Sequence, residues 1–87
     1  MDMRTLNYFE ALNCGGSGIL DVKECNSIDD VRTYIDICND KIIKEGYRDK
    51  PINYGIYLVT RIRVFDNDGL IANETTTKTR VEIYPNK

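Results

Sequence analysis

The stretch INYGIYLVTRIRVFDNDGLIANETTTKTRVEIY, residues 52–84, decides the fold. Its first half, from about Ile52 to Asp66, places Tyr54, Ile56, Leu58, Ile62 and Val64 on one face, with Thr60 among them, which is the period of a β-strand. Asp68-Gly69 then signals a two-residue type I′ turn. The second half, from about Leu70 to Tyr84, is rich in β-branched residues, Thr75, Thr76, Thr77 and Thr79 included. The expectation is a long antiparallel hairpin.

A two-residue turn fixes the pairing. Asn67 would face Leu70, Ile62 would face Thr75, Leu58 would face Thr79, Ile56 would face Val81 and Tyr54 would face Ile83, all on one face. On the other face Arg63 would meet Glu74 and Tyr57 would meet Arg80. A shift by one residue would set Ile56 against Arg80 and Ile62 against Glu74, so the apolar pattern chooses the Asp-Gly turn. In this register Tyr57, Arg61, Arg63, Lys78, Arg80 and Tyr84 share the outer face, and Glu74 and Glu82 reduce its field.

Upstream, an amphipathic helix is expected from about Ile28 to Glu45. Ser27 is a natural N-cap, and Asp30 completes a capping-box pattern. Ile28, Val31, Ile35, Cys38 and Ile42 form one apolar stripe at helical spacing. Asp29 and Asp30 in the first turn and Lys41 and Lys44 near the end suit the helix dipole. Gly46 supplies a left-handed stop. In the N-terminal third, Leu6, Tyr8, Leu12 and Cys14 alternate, as do Leu20 and Val22, around the flexible turn Gly15-Gly16-Ser17-Gly18. This reads as a second hairpin. The rival reading is a short helix over residues 4–13.

The order strand, strand, helix, strand, strand implies an α+β domain spanning residues 1–87, with one helix on one face of a mainly antiparallel four-stranded sheet. A 14-residue strand spans about 46 Å, whereas an 18-residue helix spans about 27 Å. The C-terminal hairpin should therefore overhang the helix. A two-stranded arm is not stable alone, so it should curl, pack on another copy or dock on a partner.

Composition narrows the function classes. The 87 residues are 41% hydrophobic and 30% charged with a net charge of −2, ordinary for a globular chain and without a global pull toward nucleic acid. The charge is uneven: residues 21–45 carry seven acids and four bases, residues 47–87 seven bases and five acids. No apolar run approaches the ~18 residues of a membrane span, and Met1-Asp2-Met3-Arg4-Thr5 lacks a signal-peptide core. A cytoplasmic location is expected, with Cys14, Cys25 and Cys38 as free thiols. No membrane partner is expected.

Histidine is absent, which removes Ser-His and Cys-His catalysis. Asp29/Asp30 reads as helix-terminal charge and Asp66/Asp68 as turn chemistry rather than as acid–base pairs. Asp66-Asn67-Asp68-Gly69 lacks the downstream glutamate of a calcium loop. The glycine-rich turn lacks the helix and Lys-Ser/Thr of a phosphate loop. The cysteines lack zinc spacing. No catalytic residue, metal or cofactor is expected, and the chain reads as a non-enzyme.

The ββαββ order resembles protein G-like β-grasp modules. In size, single-domain economy and lack of catalytic motifs the chain also resembles the short accessory proteins that phages and mobile elements use against host defences, anti-CRISPR proteins included. That resemblance implies an inhibitor acting in the host cytoplasm by steric occlusion of a defence protein. From the residues themselves, the expected function is protein binding through Tyr57, Arg61, Arg63, Phe65, Lys78, Arg80 and Tyr84, because Tyr and Arg are enriched at binding hot spots. The alternative is a nucleic-acid or nucleotide binder using the same cations. A homodimer through the sheet edge or the hairpin arm is a further expectation.

Overall fold

The computed structural model describes residues 2–85. Strand β1 covers Asp2–Asn13, β2 Ile19–Leu20, helix α1 Ile28–Lys44, β3 Tyr54–Phe65 and β4 Ile71–Tyr84. The sheet is ordered β2-β1-β3-β4 with every neighbouring pair antiparallel. The fold is therefore α+β with a C-terminal hairpin, and the N-terminal hairpin stands where a short helix was the rival reading.

The helix ends follow their sequence signals. Ser27 Oγ accepts the Asp30 N–H at 3.2 Å, and the Asp30 carboxylate accepts the Asn26 N–H at 3.2 Å, one residue upstream of a standard capping box. At the other end Gly46 takes φ +80°. Tyr47 N–H reaches Ile42 C=O and Gly46 N–H reaches Ile43 C=O, which is a Schellman motif. Val31 and Ile35 are fully buried against Ala11, Val22, Tyr54 and Ile56. Asn39, one turn beyond Ile35, is also buried. Its side chain donates to Ile52 C=O (3.1 Å) and accepts from Ile52 N–H (2.8 Å), clamping the loop that leads into β3.

In β1 the buried face is Phe9 and Ala11, so the alternating Leu6, Tyr8 and Leu12 lie on the opposite face. The strand pairs with β3 along its whole length, from Asp2 opposite Phe65 to Asn13 opposite Tyr54. The overhang is consequently three-stranded, not two-stranded. The molecule measures 54 × 23 × 22 Å, about twice the ~26 Å of a 17-residue helix. The helix covers the end of the sheet around Ala11 and Ile56. The remainder projects as an arm.

The hairpin corrects the expected register in three places. The turn is a three-residue loop: Asp66 N–H donates to Leu70 C=O (2.8 Å) and Gly69 N–H to Asp66 C=O (3.1 Å). Only Gly69, at φ +79°, is left-handed there, and no described non-glycine residue has positive φ, which excludes a type I′ turn. The Asp66 carboxylate decides this by accepting the Asp68 and Leu70 N–H groups, both at 2.9 Å. A bulge at Ala72 then offsets the longer loop, so Ile62–Thr75, Leu58–Thr79, Arg63–Glu74 and Tyr57–Arg80 pair as expected. A second bulge, at Val81, sets Ile56 opposite Glu82, not Val81, and Tyr54 opposite Tyr84, not Ile83.

That bulge turns two polar side chains toward the helix, which holds partners for both. Glu82 forms a bidentate ion pair with Arg32, and Tyr84 O–H donates to Asp36 at 2.9 Å. Unbroken alternation from the turn would set Tyr84 and Glu82 on the outer face, with apolar residues alone on the helix side. Arg32 and Asp36, on the flank of the helix stripe, reverse the preference.

Candidate functional site

The outer sheet face gathers five of the seven expected contact residues, Tyr57, Arg61, Arg63, Lys78 and Arg80. Phe65 joins them at the arm tip, where the Arg4 guanidinium lies 5.5 Å from its ring. Tyr84 belongs to the helix side. The cations do not form an open basic patch. Lys78 pairs with Glu10 at 2.8 Å, and Glu74 takes Arg63 at 2.7 Å and Arg61 at 3.7 Å. Arg61 also lies 5.7 Å from the Tyr8 ring. Beneath these long side chains Val59, opposite Tyr8 and Lys78, is fully buried although no helix among the described residues covers this face. The Glu10 carboxylate beside it holds the Lys78 ammonium above the ordinary lysine range. Glu10 was missed from sequence because its role depends on β1 lying beside β3, which no local pattern announces.

Arg80 is, among the described residues of this face, the cation without an ion pair. It borders a concavity of about 560 Å³ together with Tyr57, Leu12, Ile19 and Ile83. Gly55 forms its floor: a Cβ there would stand 3.1 Å from the Tyr57 ring, so glycine lets that ring lie flat across the strand.

The inner face of the arm carries the other candidate surface. Beyond the helix N-terminus the sheet presents Leu58, Ile62 and Val64 with Phe9, Thr5 and Met3 opposite them. Leu58 is 39% exposed and Met3 64%. Where the arm leaves the body, Lys23, Cys25 and Asn26 rise as a wall beside Asn7, Phe9 and Leu58, enclosing a corner of about 300 Å³. Burial, and then the nearby charges of Asp30, Asp21 and Glu24, push the Cys25 thiol upward, which disfavours its thiolate. The tip adds Leu70 and Ile71, both more than half exposed.

Among the described residues no three metal-ligating side chains converge. Asp29 pairs with Arg32, and Asp66 caps the turn. Cys14 is exposed, Cys25 and Cys38 are half-buried, and all three are free. Among the described residues no helix is long and apolar enough to cross a membrane. No protein-family model, curated protein or solved structure matches the chain.

Proposed function

We propose that this chain is a non-catalytic protein-binding module that acts by covering a surface of another protein. The observation that carries the reading is the arm: three paired strands extend past the helix with apolar side chains on a face that nothing in the described chain covers. A partner seated in the corner beside Lys23–Asn26 and along Leu58, Ile62 and Met3 would bury that face. Apolar area removed from water is worth about 25 cal/mol per Å², though only part of it appears as affinity. The occlusion of a host-defence protein by a phage or mobile-element inhibitor is the finer form of this proposal, and it rests on the likeness in size and economy alone.

The cations argue for protein over nucleic acid as the partner, because Arg61, Arg63 and Lys78 already face carboxylates. Capture of partners from nuclease-treated lysate, followed by reconstitution from purified components, tests this. Binding should be lost in the Met3→Lys/Ile62→Lys variant and should survive Arg61→Glu/Arg80→Glu. Loss confined to the outer-face variant would move the site to that face. Retention of nucleic acid alone, with affinity falling steeply with salt, would overturn the reading.

A further inference from the structure

β4 is an edge strand, and residues 71–81 are exposed throughout. Between the bulges at Ala72 and Val81 it runs regularly from Asn73 to Arg80, without proline or glycine. In an antiparallel ladder the N–H and C=O of one residue point to one neighbour, and those of the next residue to the other. Asp66 N–H bonds Leu70 C=O, so even-numbered residues of β3 turn toward β4. Cys14 N–H bonds Asn53 C=O, so odd-numbered ones turn toward β1. The register then turns Thr75, Thr77 and Thr79 toward β3. The backbone groups of Glu74, Thr76, Lys78 and Arg80 face outward, where no strand of the described chain follows.

We propose that this edge pairs with the same edge of a second copy, antiparallel about a two-fold axis at Thr77, to make one continuous eight-stranded sheet. Charge complementarity selects the centre. With the axis at Thr77, Glu74, which Arg63 and Arg61 hold from one side, faces from the other the unpaired Arg80 of the second copy, and the symmetry makes that contact twice. Thr75 then faces Thr79 of the second copy, and the two Thr77 side chains meet, both favourable strand pairings. An axis at Lys78 would oppose two lysines and set Glu74 against Glu82. An axis at Thr76 would use Lys78, which Glu10 already holds, and would leave Arg80 without a carboxylate. The free edge of β1 offers no such match: an axis at Thr5 opposes Arg4 to Leu6 and Asp2 to Tyr8. The pairing lies at the sheet edge and is independent of what the arm's face binds.

The test is sedimentation of the purified chain from micromolar to millimolar concentration, together with charge exchange. The wild-type mass should rise from 10.0 kDa toward twice that value. Glu74→Arg alone and Arg80→Glu alone should each weaken self-association about tenfold, since two attractive cross-strand pairs become repulsive. An equimolar mixture of the two variants should restore it, because both pairs are complementary again in the heterodimer. In a Cys14→Ser background, Thr77→Cys should link two copies on mild oxidation, since directly opposed residues lie within disulfide reach. A wild-type chain that stays monomeric throughout, a mixture no tighter than its components, or linking through Thr76→Cys in preference to Thr77→Cys would overturn the proposal.

Discussion

The two ends of one sheet are built from similar strands and stabilised differently. At the covered end Ala11, Val31, Ile35 and Ile56 are fully buried, and polar contacts close the margin: Arg32–Glu82, Tyr84–Asp36 and Asn39–Ile52. Along the arm the same three strands continue, but their inner side chains are only partly buried and β4 is exposed throughout. There, stability comes from backbone pairing and from cross-strand pairs such as Arg63–Glu74 and the hydrogen bond from Thr60 Oγ1 to Asn7. A sheet needs a second layer to bury a face. The helix supplies it for half the length.

Substitutions should separate the two ends sharply. Ile35→Ala and Ile56→Ala should each cost about 2–5 kcal/mol, as for other deletions of fully buried aliphatic side chains. A domain of 87 residues buries a small core and has a thin stability margin, so that loss approaches global unfolding. Ile62→Ala, on the arm, should cost about 1 kcal/mol or less by the same urea titration. Equal losses at both ends would mean that the arm has a core of its own.

Next in size is the clamp on the loop before β3. Asn39→Ala leaves the partly buried Ile52 backbone groups without their partners and should cost about 1–3 kcal/mol. A loss as small as that of a surface site would show that water replaces the clamp.

Most of this architecture was legible in the sequence, and the exceptions have physical causes. The helix, its caps and its stripe were read correctly because each signal is local. The middle of the hairpin was also read correctly, although the Asp66-capped loop and the Ala72 bulge were not: their one-residue offsets cancel. The Val81 bulge lies beyond that cancellation, so Tyr84 was assigned to the wrong face. Its cause is tertiary, since Glu82 and Tyr84 follow Arg32 and Asp36 on a distant helix. The outer cations and the Arg63–Glu74 pair are legible in the sequence, whereas the partner of Lys78 is not, because Glu10 comes from a strand whose position no local pattern specifies.

A smaller effect should appear with pH. The hydrogen bond from Tyr84 to Asp36 raises the phenol above its ordinary range, with partial burial adding to it. The folded state therefore holds this proton more tightly than the unfolded chain. Its contribution is complete below the unfolded value of about 10 and is lost as pH rises through the raised folded value. Tyr84→Phe should lower stability at neutral pH and flatten the decline above pH ~10. A variant with an unchanged alkaline decline would show that this hydroxyl is not linked to folding.

The smallest effect concerns the thiols. Cys14, exposed beside the glycine turn, should alkylate first at neutral pH, and Cys25 should lag because burial and the nearby carboxylates oppose its thiolate. A Cys25 that reacts as fast as Cys14 would mean that the wall beside the arm opens readily.

Native-state hydrogen exchange on the chain alone, residue by residue along β1 and β3, tests most directly whether the arm is incomplete without a partner. Amides near Ala11 and Ile56 should exchange only through global unfolding. Those of the arm that face a neighbouring strand, such as Leu6 and Ile62, should exchange orders of magnitude faster through local opening. Uniform protection along both strands would contradict the account, because the arm would then be as stable uncovered as the end beneath the helix.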